Sequence, residues 1–494
     1  LNKFNSEFCN ESHLKRLSAS IDRINIRISK LNKSYQFELP PTWRIEGPFD
    51  STYSLAILNR QFVLALLNQE QNVDIRITEG NGDYQPNLNF LKTVPEILNI
   101  YKKSIKDNRN TTIISRNLYP PRTNEMEAPI SMLHAYGWEE SQFPLEWSLS
   151  FNNNLDCISV MSDFVKKILI DNGVSIPIKV CHLGVSHFNE FENVCEFKLN
   201  AKKFRFLHIS SCFPRKGIDC LLQSYGKAFT NKDNVTLVIK TFDNPHNDIK
   251  QKLDKLRNNN IDYPDVVVIK RDLSHSEIQA LYQSCDVLVS PSHGEGFGLP
   301  IAEAMLMKVP VITTGWGGQM DFCNKHNSWL IDFDFDFSKT HFGFTSSVWA
   351  VPSIKDCARI MREIYYENDS IKKLKIEAAY SMVKSKKFHW DSVAKKNIDF
   401  VNSLKNDHLN NISRIGWVTT WNTRCGIASY SENLINQIDD YIVVLAPRDE
   451  KKLTYDTDFV RRCWSLSESN LDSLYDQIVS ENLTSIVFQF NYGF

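Results

Sequence analysis

The stretch S-H-G-E-G-F-G-L-P-I-A-E-A-M, residues 292–305, sets Glu295 in a run of three glycines and Glu303 eight residues further on. Gly294, Gly296 and Gly298 let the backbone approach a ligand closely, and Pro300 suits the first turn of a helix. The pattern therefore predicts a loop feeding a helix N-terminus, with Phe297 and Leu299 at the entry. Such an end attracts anions, and its N–H groups suit an anion or a sugar. A carboxylate placed there needs a partner or a task. F-L-H-I-S-S-C-F-P-R-K-G-I-D, residues 206–219, puts Arg215 and Lys216 in a loop after a strand, where cations would neutralise a diphosphate. T-T-G-W-G-G-Q-M-D, residues 313–321, is a further glycine-rich turn after a strand.

Short apolar runs separated by helical patterns must position these residues. W-R-I-E-G-P-F-D-S-T-Y-S-L-A-I-L-N-R, residues 43–60, reads as strand, tight turn at Gly47-Pro48, then helix, and further strands are predicted at 73–77, 112–114, 130–134 and 157–161. A second set starts near Phe204, with strands at 206–210, 235–240, 266–269, 287–290 and 309–313 and helices at 276–284 and 300–307. This alternation predicts an α/β chain with two doubly wound domains, 37–182 and 183–384, joined around residues 181–190. Ligands of such sheets bind at the carboxyl ends of the strands, in a cleft between the two domains. After Asn410 the pattern begins again: R-I-G-W-V-T-T-W-N-T-R-C-G-I-A-S-Y-S-E-N-L parallels residues 43–60, with strands at 442–446 and 485–490, so residues 412–494 read as the start of a second unit.

Ahead of these, in the segment 1–36, Leu14, Leu17, Ile21, Ile24, Ile28 and Leu31 form a heptad seam. It suits either a short coiled coil, through which the chain would self-associate, or one amphipathic helix lying on the neighbouring domain.

At 494 residues the length allows about three domains. A formal net charge of −1 argues against nucleic acid as a partner. The eleven cysteines include no C-x-x-C pair, which suggests neither a zinc site nor a redox motif and fits a reducing cytosol. No apolar run approaches the roughly 18 residues that span a bilayer. Beginning at Leu1 and stopping inside a strand pattern, the chain reads as a segment of a longer protein.

The glutamate pair inside G-E-G-F-G-L-P-I-A-E-A-M, with the P-R-K-G-I-D loop and G-W-G-G-Q, resembles the retaining, nucleotide-sugar-dependent glycosyltransferases of the two-Rossmann-domain type (GT-B), the family that includes bacterial lipopolysaccharide mannosyltransferases. The resemblance covers nearly all of residues 43–405. It implies that Glu295 sits beside the donor sugar and that Glu303 holds the ribose hydroxyls. Lys216, the loop N–H groups and the helix dipole would then stabilise the departing diphosphate, so no metal or other cofactor is expected. One position departs from the family: Ser211 stands where relatives carry an arginine five residues before the loop lysine, and Arg215 or Lys240 is expected to substitute. On the acceptor side the resemblance implicates Gly47, Phe49, Asp50 and Ser51 at the first strand–helix turn, and His134, Trp138 and Glu139 in H-A-Y-G-W-E-E. Trp138 and His134 have a plainer reading as a core anchor and a satisfied strand-end histidine. The segment 385–408 resembles the family's closing helix, which returns to the first domain and permits hinge closure.

These readings predict a retaining hexosyltransferase that passes a sugar, GDP-mannose being the leading donor, to a growing bacterial polysaccharide on a lipid-linked acceptor. It would be cytoplasmic, with peripheral docking at the inner face of the membrane. The alternative is a degenerate unit that only holds glycan or scaffolds a partner. An epimerase would not need the glutamate pair, and a dinucleotide-dependent dehydrogenase would need a G-x-G-x-x-G that residues 43–60 lack.

Overall fold

A computed structural model describes residues 41–106, 111–190, 197–339, 342–367, 369–406, 414–438, 441–465, 467, 471–481, 483 and 485–489. The heptad seam over 14–31 lies outside the described residues. Contacts divide the chain into two compact units, one ending at Lys405 and the other beginning at Asn406.

The first unit is built on two large sheets. Strands β1 (Thr42–Gly47), β2 (Asn72–Glu79), β3 (Gly82–Asp83), β4 (Ile113–Arg116), β5 (Ile130–Tyr136), β6 (Cys157–Val160) and β7 (Ile178–Val180) form one, in the order β3-β2-β1-β4-β5-β6-β7. Strands β8 (Phe204–Ile209), β9 (Val235–Lys240), β10 (Asp265–Ile269), β11 (Val287–Ser290), β12 (Val311–Thr314) and β13 (Trp329–Ile331) form the other, ordered β10-β9-β8-β11-β12-β13. All neighbours are parallel except β3 against β2. In each sheet the order reverses beside the first strand, β1 next to β4 and β8 next to β11, which opens a crevice at the carboxyl ends. The loops expected to carry chemistry leave those ends: 48–53 follows β1, 210–217 follows β8 and 291–298 follows β11.

Burial explains why these residues form strands. β4, β5, β6 and β9 are buried throughout, as strands covered by helices on both faces must be. One apolar cluster joins Trp43, Ile45, Phe62 and Val160 of the first sheet's layers to Leu288, Phe297, Ile301 and Phe322 of the second's. The helices Ile218–Ala228 and Ile354–Tyr366 close the far face of the second sheet with Leu221, Tyr225, Ile360 and Met361.

Two elements that link the halves are a helix and a hairpin. The helix Trp390–Asn406 returns to the first sheet, where Val185 donates its N–H to Phe388 O (2.9 Å) and Lys179 lies over the Phe400 ring (5.7 Å). The second is an antiparallel hairpin, β14 (Phe333–Phe337) and β15 (Val348–Pro352), which reaches across to residues 138–142. Ser338 and Ser347 donate hydroxyls to the buried Glu140 carboxylate at 2.6 and 3.0 Å, and Ser141 and Val348 exchange bonds. The alternation F-D-F-D-F has the period of a strand, yet the sequence reading passed over this hairpin.

The second unit, taken by itself, is a parallel four-stranded sheet of β16 (Arg414–Val418), β17 (Tyr441–Pro447), β18 (Val460–Trp464) and β19 (Ser485–Phe488), ordered β18-β17-β16-β19. Alternate residues divide between its faces: Trp417, Ile442 and Val444 to one, Val418, Val443 and Leu445 to the other.

Candidate active site

Gly217, at φ +69°, brings the Arg215-Lys216 turn so close to β11's loop that a Cβ there would lie 1.8 Å from Pro291 O. Lys216 is thereby delivered to Glu295. Its ammonium contacts both carboxylate oxygens, at 2.7 and 2.8 Å, while Ser292 Oγ donates to Oε1 at 2.7 Å and Arg215 stands 4.0 Å from Oε2. Burial alone would raise the Glu295 pKa, but Lys216 and Arg215 with the hydrogen bonds outweigh it and hold the group below the usual carboxylate range. Lys216 is lowered, by burial first and by Arg215 second, with Glu295 opposing. Arg215 also reaches Glu139 Oε1 at 3.0 Å, so one cation links the acid of the first domain to the glycine loop of the second.

Gly294 is where that loop meets the first domain: a Cβ there would stand 2.2 Å from Glu139 O. Ser162 in turn donates to Gly296 O at 2.6 Å. Gly294 thus admits the backbone of the neighbouring domain, and a Cβ at Gly296 would meet the Met161 sulfur at 3.0 Å. Gly298 caps the helix Leu299–Leu306, whose first residue Leu299 is half-buried. The Phe297 ring is buried between Phe322 (5.0 Å) and Phe388 (6.1 Å) and serves the core.

Glu303, one turn into that helix, has other company. Tyr282 donates its O–H to Oε2 at 3.0 Å, and His187 Nε2 lies 3.9 Å from Oε1. Burial pushes its pKa up to about 8, against the Tyr282 hydrogen bond. The expected pair thus separates into an ionised Glu295 and a protonated Glu303 at neutral pH, with no bonding partner in common among the described residues. Opposed environments for two carboxyls are a mark of divided chemical roles.

The expected substitutes for the missing arginine also divide. Arg215 is at the site. Lys240 ends β9 beside the 210–213 loop, but its ammonium bonds Thr241 O at 2.8 Å and the charges that act on it are Asp272 and Arg271. The Ser211 carbonyl accepts from Asn244 at 2.8 Å, which pins the loop without supplying a cation.

Among the acceptor-side residues, Glu139 alone contacts the donor-side cations. His134 is a core residue: it bonds Ser115 (2.8 Å) and Asn59 (2.9 Å), stacks on Phe62 (4.6 Å), and burial drives its pKa down to about 3. Trp138 donates to Gln142 O (2.9 Å) and packs among Phe143, Trp147 and Phe342, so it anchors the hairpin and presents no face to a sugar. Phe49 is fully buried, and both oxygens of Asp50 are taken by Tyr84 and Asn87 at 2.6 Å. Gly47 ends β1 against Asn117 and Asn59, and the Ser51 hydroxyl is buried without a hydrogen-bond partner among the described residues. Arg60, which the sequence reading missed, bonds the carbonyls of Phe49 and Ser51 at 2.6 and 2.7 Å and so fixes this turn. Ser292 was also missed, although it stands three residues before Glu295.

Comparison with known proteins places this geometry. Residues 190–336 match the family model "Glycosyl transferases group 1". The capsular polysaccharide biosynthesis glycosyltransferase CapM of Staphylococcus aureus is 30% identical over 176 residues, 34% of this chain and 45% of that protein. An uncharacterised 41.2 kDa protein of the Klebsiella pneumoniae cps region is 29% identical over 163 residues, 32% of this chain and 42% of the relative. The chain thus spans less than half the length of these curated relatives. Among solved structures, Anabaena HepE in complex with UDP and glucose superposes with a TM-score of 0.55 at 14% identity, over 74% of this chain and 100% of its own. A glycosyltransferase from Rickettsia africae gives 0.54 at 17%, covering 76% and 100%, and sucrose-phosphate synthase from Thermosynechococcus elongatus 0.53 at 15%, covering 74% and 99%. No described helix is long and apolar enough to cross a membrane. The chain thus has a GT-B fold of two Rossmann-like domains, and its residues 190–336 match the glycosyl transferases group 1 model.

Proposed function

We propose that the chain transfers a sugar from a nucleotide diphosphate donor to a growing bacterial polysaccharide, with retention of anomeric configuration. The observation that carries this reading is the buried Glu295–Lys216 pair at the mouth of the Gly298-capped helix, with Arg215 bridging to Glu139. Two of the three Lys216 N–H donors go to Glu295, and the third suits a phosphate oxygen. When the bond from the anomeric carbon to the phosphate oxygen breaks, negative charge grows on the diphosphate, where Lys216 and the helix N-terminus stabilise it. Positive charge grows at the anomeric carbon, where the ionised Glu295 opposes it. Glu139, tied to Arg215, orients the acceptor hydroxyl. With this positive charge supplied by side chains and N–H groups, the reading needs no metal.

GDP-mannose is the leading donor, from the likeness of P-R-K-G-I-D and the repeated strand–turn–helix pattern to O-antigen mannosyltransferases. The acceptor is a lipid-linked glycan, met at the membrane surface, and the capsular setting of the S. aureus relative supports polysaccharide as its class. Incubation with a panel of GDP-, UDP- and dTDP-sugars and a short synthetic acceptor, read by mass shift, tests this: wild type adds one sugar and Glu295→Ala adds none. A second reading, a glycan-holding unit without turnover, draws on Ser211 in place of the arginine. It would show glycan binding by wild type and no product with any donor.

A further inference from the structure

His187 sits in the turn Ser186–Glu190 that joins the two sheets, and it is 2% exposed. Trp390, the first residue of the closing helix, donates its indole N–H to His187 Nδ1 at 3.1 Å. A ring nitrogen that accepts carries no proton, so the neutral imidazole holds its proton on Nε2. The ring is neutral because burial drives its pKa down to about 3. Nε2 faces Glu303 Oε1 at 3.9 Å and has no hydrogen-bond partner among the described residues. The second Glu303 oxygen takes the Tyr282 O–H, and Tyr282 also lies 3.1 Å from Pro300 O, at the start of Glu303's own helix. A buried donor is thus aimed at a buried carboxyl from about 1 Å beyond bonding length.

We propose that His187 is a positioning residue for Glu303: Trp390 locks the imidazole so that its Nε2–H bonds Glu303 Oε1 when the linker and the donor-side helix close by about 1 Å. The donor-side carboxyl, the hinge turn and the closing helix then act as one unit, and the grip of Glu303 depends on closure. This rests on the reading of Glu303 as a donor contact. The groups that face Glu303 are Tyr282 from the helix His275–Gln283 and His187 from the linker. His275 lies beyond, with its ring 6.1 Å from His187, and the Arg60 charge helps keep both histidines neutral.

Two measurements on the full chain test it. In the nitrogen-15 spectrum of histidine-labelled protein, with His187 assigned by its loss in His187→Gln, wild type should show the Nε2–H tautomer at neutral pH. Trp390→Phe, which keeps a buried ring, should mix the two tautomers. An Nδ1–H ring or an imidazolium in wild type overturns the proposal. In turnover, His187→Ala and Trp390→Phe should raise the donor KM about fivefold, the worth of one hydrogen bond, with kcat nearly unchanged. His187→Gln, which keeps an N–H near the same place, should restore KM. If Glu303→Ala raises KM while His187→Ala and Trp390→Phe do not, the coupling is wrong. If Glu303→Ala itself leaves KM unchanged, the donor role of Glu303 fails and takes the coupling with it.

Discussion

Replacing Lys216 by methionine keeps the length of the side chain and removes the charge, leaving the Glu295 carboxylate in its buried place. The side chains are 15% and 8% exposed, so solvent screens the pair little. Removing one partner of a buried ion pair costs about 3–5 kcal/mol. Ser292 at 2.7 Å and Arg215 at 4.0 Å remain, which sets the expected cost near the lower end, about 3 kcal/mol. For a domain of about 200 residues each kcal/mol moves Tm by about 2–4 °C, so the donor-side transition should fall by roughly 6–12 °C in calorimetry. The double variant Lys216→Met/Glu295→Gln removes both charges and should regain most of that loss, because an apolar or neutral replacement of a buried pair is close to neutral. Turnover separates stability from catalysis: the double variant, though stable, should stay at least about 10²–10³-fold slow, for want of both the cation on the departing diphosphate and the Glu295 carboxylate. A Tm unchanged in the single variant, or a double variant that loses the sum of the two single losses, would refute the argument.

The Glu303 carboxyl gives a pH signature. Its folded pKa is raised by burial to about 8, so its contribution to stability is fully present below the ordinary carboxylate pKa and is lost as pH rises through about 8. Wild type should lose denaturant resistance progressively from the ordinary carboxylate pKa of 4.5 up to about pH 8 and then level off, and Glu303→Gln should flatten that slope; equal slopes would contradict the assignment. Gly294→Ala puts a Cβ 2.2 Å from Glu139 O, so X-ray scattering should show a larger radius of gyration, and donor turnover should fall with the Arg215–Glu139 contact; a wild-type profile would count against the close approach. His134→Phe orphans Asn59 and Ser115, costing about 1–3 kcal/mol on urea unfolding, yet it should leave the donor KM unchanged because the ring lies in the core.

Much of the strand–helix framework was legible because buried parallel strands write themselves as short apolar runs. The runs at 235–240 and 287–290 coincide with β9 and β11. The short strands β7 and β13 went unread, and V-R-R-C-W of β18 reads as polar because of its arginines, which pair with Glu481 and Asp456. At the site, Glu295, Lys216 and Arg215 were legible from their loop setting. Side-chain direction decided what the sequence left open: His134 and Trp138 turn inward, as their plainer reading as core residues has it, and Lys240 bonds a neighbouring carbonyl. The separation of Glu303 from Glu295 was illegible for the same reason. Eight residues of spacing give no hint that Tyr282 and His187, distant in sequence, claim the second carboxyl.

The most direct test of the account is a crystal structure with an intact, slowly turned-over nucleotide sugar. The account predicts a diphosphate oxygen within hydrogen-bond distance of Lys216 Nζ, with the sugar's anomeric carbon beside Glu295. A nucleotide bound elsewhere, with Lys216 and Glu295 paired as they are here and untouched by it, would contradict the central claim.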